Sequence, residues 1–509
     1  MRFKLYAILG FYLVISVGCK REWPDYFDVQ QETVDTEIWD ALQNDPEISM
    51  FVQMLKDNQL DTLFQYDNTY TIITPTNSAI ESFSGILDTT LLKYHIFSNL
   101  LNSTSINGKR KIQTLTKKFA LFERYGGNVL IDGIEVQFES PLYRKGRYFA
   151  VDNVIEPKPN LYEYFRTENP ILTKYINSQD SIVLDKEQSK PIGFDELGNT
   201  IYDSVSIIYN IFEDEYFPVK QEFRDATATI VFPKAEDYIN ELDVVADALG
   251  SNYNDHRDIP EEWQNNILVP HLIKQGVFLN MLEPEEFIWM SETDTLKLLN
   301  VLGDSIIIDY TPTEKAICSN GYAYNYQNFQ IPDSLYSGST KLEAELLTVQ
   351  TGINRYAWSD SVNIRSTTPF EPVQELVHSA SGDSIIRVIF PKGYSDEFSV
   401  EFNSPSLFPR KYIMVVGTHM DIGGIYDIYV NDELIKTFDY YQFILYRGIM
   451  FSVVPGKIYK PTGRFNSFDM YVENIVEYGQ AKIRFEYKEP GSVANNGLVL
   501  DYIEFIPAE

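Results

Sequence analysis

A short apolar run that ends in proline occurs twice in this chain. It reads Thr71-Ile72-Ile73-Thr74-Pro75 and, 158 positions later, Thr229-Ile230-Val231-Phe232-Pro233. β-Branched residues favour extended backbone, while proline fixes φ and removes a ladder donor, so each run reads as a buried strand that stops at its proline. Thr76 or Asn77, directly after the first stop, can cap a following helix through a side-chain oxygen. A block written twice restricts the chain to folds in which one α+β unit is built and then built again.

The rest of the first block can be read around that strand. Ile38, Leu42, Ile48, Val52, Leu55, Leu60 and Leu63 recur at about three- and four-residue spacing, which predicts helix over 36–65. Leu91–Phe97 is a short apolar segment containing Tyr94-His95, and 128–138 alternates across Asp132-Gly133, a hairpin signal. The block closes over 146–157. Weaker copies follow: His271-Leu272-Ile273 aligns with His95-Ile96-Phe97 at an offset of 176, and Gly321, Asn328 and Pro332 align with Gly146, Asn153 and Pro157 at 175. The growth of the offset predicts an insertion between Pro233 and His271, centred on the acidic stretch 252–262. A second lengthening, over 185–215, predicts a protruding hairpin turning at Gly198-Asn199.

These motifs resemble the fasciclin family. Thr71, Pro75, Thr76, Asn77 and Ala79 match its first motif, Tyr94-His95 its central pair, and Val151, Asn153, Val154 and Pro157 its closing stretch. The resemblance implies a fasciclin-like domain over 34–158 and a diverged, insertion-bearing second one over 159–337. It also implies a scaffold used in adhesion and in binding extracellular proteins or polysaccharides, not a reaction. The residues themselves read His95 as a core histidine whose ring nitrogens bond backbone, because no acidic or cysteine partner stands at ligand spacing.

The amino terminus predicts the compartment. Arg2 and Lys4 precede an apolar run from Leu5 to Val17, about 13 residues, which suits a signal-peptide core and is short for a membrane span. Ser16-Val17-Gly18-Cys19 resembles a bacterial lipobox, with Ser16 where the usual Leu stands. That resemblance implies cleavage after residue 18, lipidation of Cys19, a tether over 19–33, and anchoring through acyl chains. No Asp follows Cys19 directly. By analogy with Bacteroidota-type lipoproteins, this implies the outer membrane, facing the exterior, and partnership with a SusC/SusD-like nutrient importer.

Beyond Ser337 the helical period fades. Eight short alternating stretches between Ser384 and Ile506 predict an antiparallel sandwich over 338–509, with a hairpin turning at Asn431-Asp432. Leu342-Glu343-Ala344-Glu345 at its start and 495–505 at its end resemble a galactose-binding-like jelly roll, notably family 6 carbohydrate-binding modules. The resemblance implies a structural Ca²⁺ on Glu343, Glu345 and Asp501, although those glutamates read equally well as solvent-facing residues of a first strand. It also implies sugar binding through loop aromatics and late amides: Tyr356, Trp358, Asn495 and Asn496, with Tyr440 and Tyr441 behind them. An aromatic face stacks on a pyranose and amides read its hydroxyls. Against this, aromatic residues make up 14% of the chain, so most of them serve packing.

Composition closes off other classes. Forty-two basic against 73 acidic residues give a formal charge of −31, which excludes a nucleic-acid partner on electrostatic grounds. Two cysteines, Cys19 and Cys318, allow neither a disulfide framework nor a Cys-rich zinc site, and Cys318 reads as a buried thiol. No Gly-x-Ser-x-Gly, Walker or Rossmann sequence occurs. The expected fold class is α+β and multidomain: two fasciclin-like domains, then a β-sandwich. The expected function is non-enzymatic capture of extracellular glycan or matrix. An adhesion subunit whose sandwich binds protein is the alternative, and a glycan-cleaving enzyme is the third reading.

Overall fold

The computed structural model describes residues 33–105, 108–125, 127–185, 188–250, 252–291, 297–308, 310–419, 422–439, 450–451, 458–459, 465–491 and 495–508. The apolar leader, Cys19, nearly all of the tether, Tyr440 and Tyr441 lie outside them. Among the described residues no helix is long and apolar enough to cross a membrane. Two compact units are present, Met1–Ala235 with His271–Asn328, and Glu236–Pro270 with Phe329–Glu509. The chain therefore changes unit near residues 235, 270 and 328, whereas the sequence reading put its joints near 158 and 338. The expected insertion falls almost wholly in the second unit.

In the first unit, Tyr70–Pro75 is a strand buried along its whole length and parallel to Gly146–Val151, itself buried throughout. Ile72 and Tyr148 enter one apolar cluster while Ile73, Phe149 and Val151 enter another, so the pair is covered on both faces. That is why its residues run apolar without alternation. The strand ends at Pro75, and Thr76 Oγ1 accepts from Ala79 N–H at 3.3 Å to cap the helix Asn77–Ser82. The helical stretch expected over 36–65 is broken in two places. Ile38–Asn44 ends before Pro46, and Ser49–Asp57 is followed by a 3₁₀ turn at Leu60–Gln65. Asp132-Gly133 turns the hairpin between Asn128–Ile131 and Ile134–Glu139.

The second proline-ended run reproduces this local geometry. Ala228–Val231 is buried and parallel to Gly321–Gln327, pairing Ala228 with Gly321 as Tyr70 pairs with Gly146. Both glycines are required by close approach. A Cβ on Gly146 would lie 1.9 Å from Tyr70 O, and one on Gly321 would lie 2.0 Å from Ala228 O. Thr71 Oγ1 donates to Asn99 O and accepts from Leu101 N–H; Thr229 Oγ1 donates to Asn280 O and accepts from Leu282 N–H. The antiparallel neighbours are Ile96–Phe97 for the first strand and Val277–Leu279 for the second. The counterpart of Ile96-Phe97 is therefore Val277-Phe278, and the alignment of His271 with His95 is corrected by five positions. Gly276 stands where His95 stands, its backbone packed so close that a Cβ would meet Val231 O at 2.2 Å. The lengthening over 185–215 is a hairpin arm, Asp180–Leu184 with Ser206–Asn210 and Lys190–Phe194 with Thr200–Asp203.

In the second unit the strands are antiparallel. One sheet runs Thr340–Glu343, Tyr502–Pro507, Tyr412–His419, Phe465–Val472; another runs Asn363–Ser366, Phe398–Leu407, Gly479–Glu489, Ile425–Val430, Glu433–Asp439. One apolar cluster fills the space between them, including Phe398, Met414, Tyr426, Phe468, Phe485 and Phe505. Asn431 and Asp432 adopt φ of 49° and 64°, the left-handed pair that a tight hairpin turn demands. The single strand expected over 498–506 is two. Gly497–Leu500 pairs with Ser384–Ile389, and after Asp501 the chain passes to the other sheet as Tyr502–Pro507.

Candidate functional site

The change of sheet at Asp501 gathers acidic groups. Asp501 N–H donates to Gly417 O at 2.9 Å and its carbonyl accepts from Ala344 N–H at 3.0 Å, so the backbone pins the corner on both sides. Thr340–Glu343 pairs with the strand that follows Asp501, and this register brings Glu343 opposite Tyr502. Asp501 Oδ1 accepts from Ser381 N–H at 2.9 Å, and Glu343 Oε1 accepts from Ser381 Oγ at 2.7 Å. Gly382 lies so close to Glu345 that a Cβ would meet Oε1 at 2.1 Å. Burial, followed by the charge of Glu343, pushes the Asp501 carboxyl up to about 7. Glu345 is raised as well, first by burial and then by Glu343.

Glu343, Glu345 and Asp501 thus lie about one corner. The donor chemistry fits a hard divalent ion, since all are carboxylate oxygens, and Glu343 Oε2 and Glu345 Oε2 are buried without a hydrogen-bond partner. The corner is not a finished cage. Among the described residues no three His, Cys, Asp or Glu side chains are drawn together closely enough to hold a metal. Positive charge comes from Lys341, whose Nζ lies 3.2 Å from Glu343 Oε1 and 4.2 Å from the Tyr502 ring centroid, and which also bonds Ser381 Oγ. Sequence reading missed Lys341 and Ser381. Lys341 carries a signal, two residues before Glu343 on one strand and hence on the same face; Ser381 carries none.

The expected sugar-binding residues fall on two segments outside the two main sheets. Tyr356 and Trp358 lie two residues apart on Arg355–Trp358, which forms a hairpin with Thr348–Gly352. Trp358 is half-buried, packs on the sandwich core, and donates from Nε1 to Phe370 O at 3.2 Å. Phe370 in turn packs against Phe390, whose N–H donates to Asn496 O at 2.8 Å. A chain of contacts therefore links Trp358 to the Asn495–Asn496 loop. Asn496 is occupied structurally: its Oδ1 accepts from Gly491 N–H at 3.1 Å. Asn495 is exposed, and its carbonyl accepts from Gly423 N–H. Tyr356 is half-buried.

His95 is 1% exposed, with Nδ1 2.9 Å from Leu91 O and Nε2 accepting from Ile155 N–H at 3.1 Å. Both nitrogens are used on backbone, and burial lowers its pKa to about 4, leaving a neutral ring. Its neighbour Tyr94 donates to Asp132 Oδ2 at 2.7 Å, and burial raises Asp132 to about 6. Cys318 is buried and its thiol is pushed up to about 12, the opposite of an activated nucleophile.

The Fasciclin domain family matches residues 46–157, so this segment is a Fasciclin domain. No curated protein matches the chain. Solved structures similar to it include a family 35 carbohydrate-binding module from Clostridium thermocellum, 13% identical over 33% of this chain and 98% of that one, with a TM-score of 0.20. A family 35 module from Paenibacillus barcinonensis is 14% identical over 33% and 99%, with a TM-score of 0.17. A family 11 module from Clostridium thermocellum is 10% identical over 33% and 96%, with a TM-score of 0.19.

Proposed function

We propose that a chain built from a Fasciclin domain over 46–157 and a carboxy-terminal β-sandwich is a non-enzymatic binding protein that captures extracellular glycan. The observation that carries this is the contact chain that runs from Trp358 through Phe370 and Phe390 to Asn496, with half-buried Tyr356 two residues before its first member and exposed Asn495 next to its last. Tyr356 supplies the stacking face, Asn495 the hydroxyl-reading amide, Trp358 the anchor, and Asn496 the backbone that sets the loop. The twofold geometry around Thr71 and Thr229 supports a second, diverged fasciclin-like domain in the first unit. Fasciclin-like domains serve adhesion, so the first unit is read as the scaffold of this binder. Lipid on Cys19 would hold it to the outer membrane, facing outward, beside a SusC/SusD-like importer.

A calcium ion belongs to the same reading. Glu343, Glu345 and Asp501 would hold it only if their carboxylates were drawn closer than they stand, and the ion would then neutralise them. There it would tie the first strand to the corner where the chain changes sheets.

The test is native gel electrophoresis of the full chain through polysaccharide. The reading expects retardation by at least one neutral polysaccharide, reduced at least tenfold in affinity by Tyr356→Ala and by Asn495→Ala. Retardation indifferent to both substitutions would place the site elsewhere.

A further inference from the structure

A cleft lies within the carboxy-terminal unit, and neither Tyr356 nor Asn495 lines it. Its volume is about 390 Å³, within the range of sites for small ligands. One wall comes from the helical stretch Glu261–Trp263 and its continuation, the other from the sandwich. Trp263 is 2% exposed, donates from Nε1 to Leu335 O at 3.1 Å, and meets Phe408 edge-to-face with centroids 5.4 Å apart. Phe408 also packs against Tyr478 at 5.0 Å, and Tyr412 Oη donates to Phe408 O at 3.0 Å. The wall is a nested set of rings fixed by backbone bonds, with Tyr478 half-buried at its outer end.

Two further observations mark this cleft as more than a seam. The first is the turn that carries its rim. Gln264–Leu268 is π-helical, a conformation that is rare and recurs at functional sites, and it places exposed Asn266 and Ile267 beside the cavity. The second is charge. In a chain with 73 Asp and Glu, none of the lining residues is acidic. Its one cation, Lys341, is committed to Glu343 and Ser381. Ser334, Ser339, Thr340 and Ser406 also line it.

We propose that this cleft is a second ligand site, taking a neutral, hydroxyl-bearing ring, a pyranose residue of a glycan, with Tyr478 as its stacking face and the Asn266 amide as a hydroxyl reader. The absence of acidic lining excludes cationic ligands, the committed lysine leaves no free charge for an anion, and rings flanked by small hydroxyls suit a molecule with one apolar face and polar edges. The inference rests on the glycan-binding reading and deepens it, since two sites on one unit would engage one polysaccharide with avidity.

The experiment is isothermal titration of the full chain with soluble neutral tetrasaccharides of β-1,4-glucan, xylan, mannan and galactan. The expected result is saturable binding at two sites, one weakened at least tenfold in Tyr478→Ala and in Asn266→Ala, the other weakened in Asn495→Ala. Asn266 is on the exposed rim, so its variant reads binding even if removal of Tyr478 disturbs folding. Binding lost in Asn495→Ala and unaffected by both cleft substitutions would overturn this inference and leave the proposed function standing. Absence of saturable binding by every tetrasaccharide, and of retardation by any polysaccharide, would overturn both.

Discussion

Gly146 and Gly321 show how a single atom can set the packing of a parallel strand pair. In both blocks the added Cβ would fall inside the contact radius of a carbonyl oxygen on the facing strand. Gly146→Ala and Gly321→Ala should each lower stability by about 3 kcal/mol in denaturant titrations; wild-type midpoints would mean that the sheet relaxes freely. His95 and Asp132 make a second residue-scale case. Asp132 holds its proton up to about pH 6 in the fold against 3.8 when free, so across that window the folded state binds the proton and stability falls as pH rises. His95 is lowered from 6.5 to about 4, so there the unfolded state binds the proton and stability rises with pH. Each amounts to about 3 kcal/mol over two or more pH units, with opposite sign. Relative to wild type, Asp132→Asn should steepen the rise of stability between pH 4 and 6, and His95→Gln should turn it toward a fall. Equal slopes in all three proteins would contradict the assignment.

At the scale of elements, legibility followed side-chain pattern. The strand Tyr70–Pro75 with its capped helix, and the hairpin at Asn431-Asp432, could be read because proline, threonine and left-handed Asn-Asp each leave a local signal. The match of Val277-Phe278 to Ile96-Phe97 was hidden because the second block puts Gly276 where the first has a histidine, and a position defined by backbone proximity has no side chain to align. Thr348–Gly352 and Val373–Leu376 were missed because they are largely exposed edge elements without a buried alternate face. The change of sheet at Asp501 is hard to read in sequence, since one polar residue in an apolar run also fits a single strand. That corner carries an element-scale prediction. If calcium joins Glu343, Glu345 and Asp501, millimolar Ca²⁺ should raise the melting temperature of the second unit by several degrees, chelator should reverse it, and Glu343→Gln with Glu345→Gln should abolish the difference. A melting temperature indifferent to calcium and chelator would remove the ion from the account.

For the whole molecule, the sequence's acid excess and the structure's two units bear on one another. A chain of formal charge −31 is a poor ligand for polyanions, and no acidic residue lines the cleft built from nested rings. In the function proposed above, the unit with the Fasciclin domain is the scaffold and the unit with the sandwich is the binder. The most direct test follows the intact chain in native gels cast with neutral polysaccharides, with reducing ends assayed over time in the same mixtures. The account predicts retardation by at least one polysaccharide with no growth in reducing ends. Folded protein that migrates unretarded through all of them, or that releases reducing ends from the one that retards it, would contradict it.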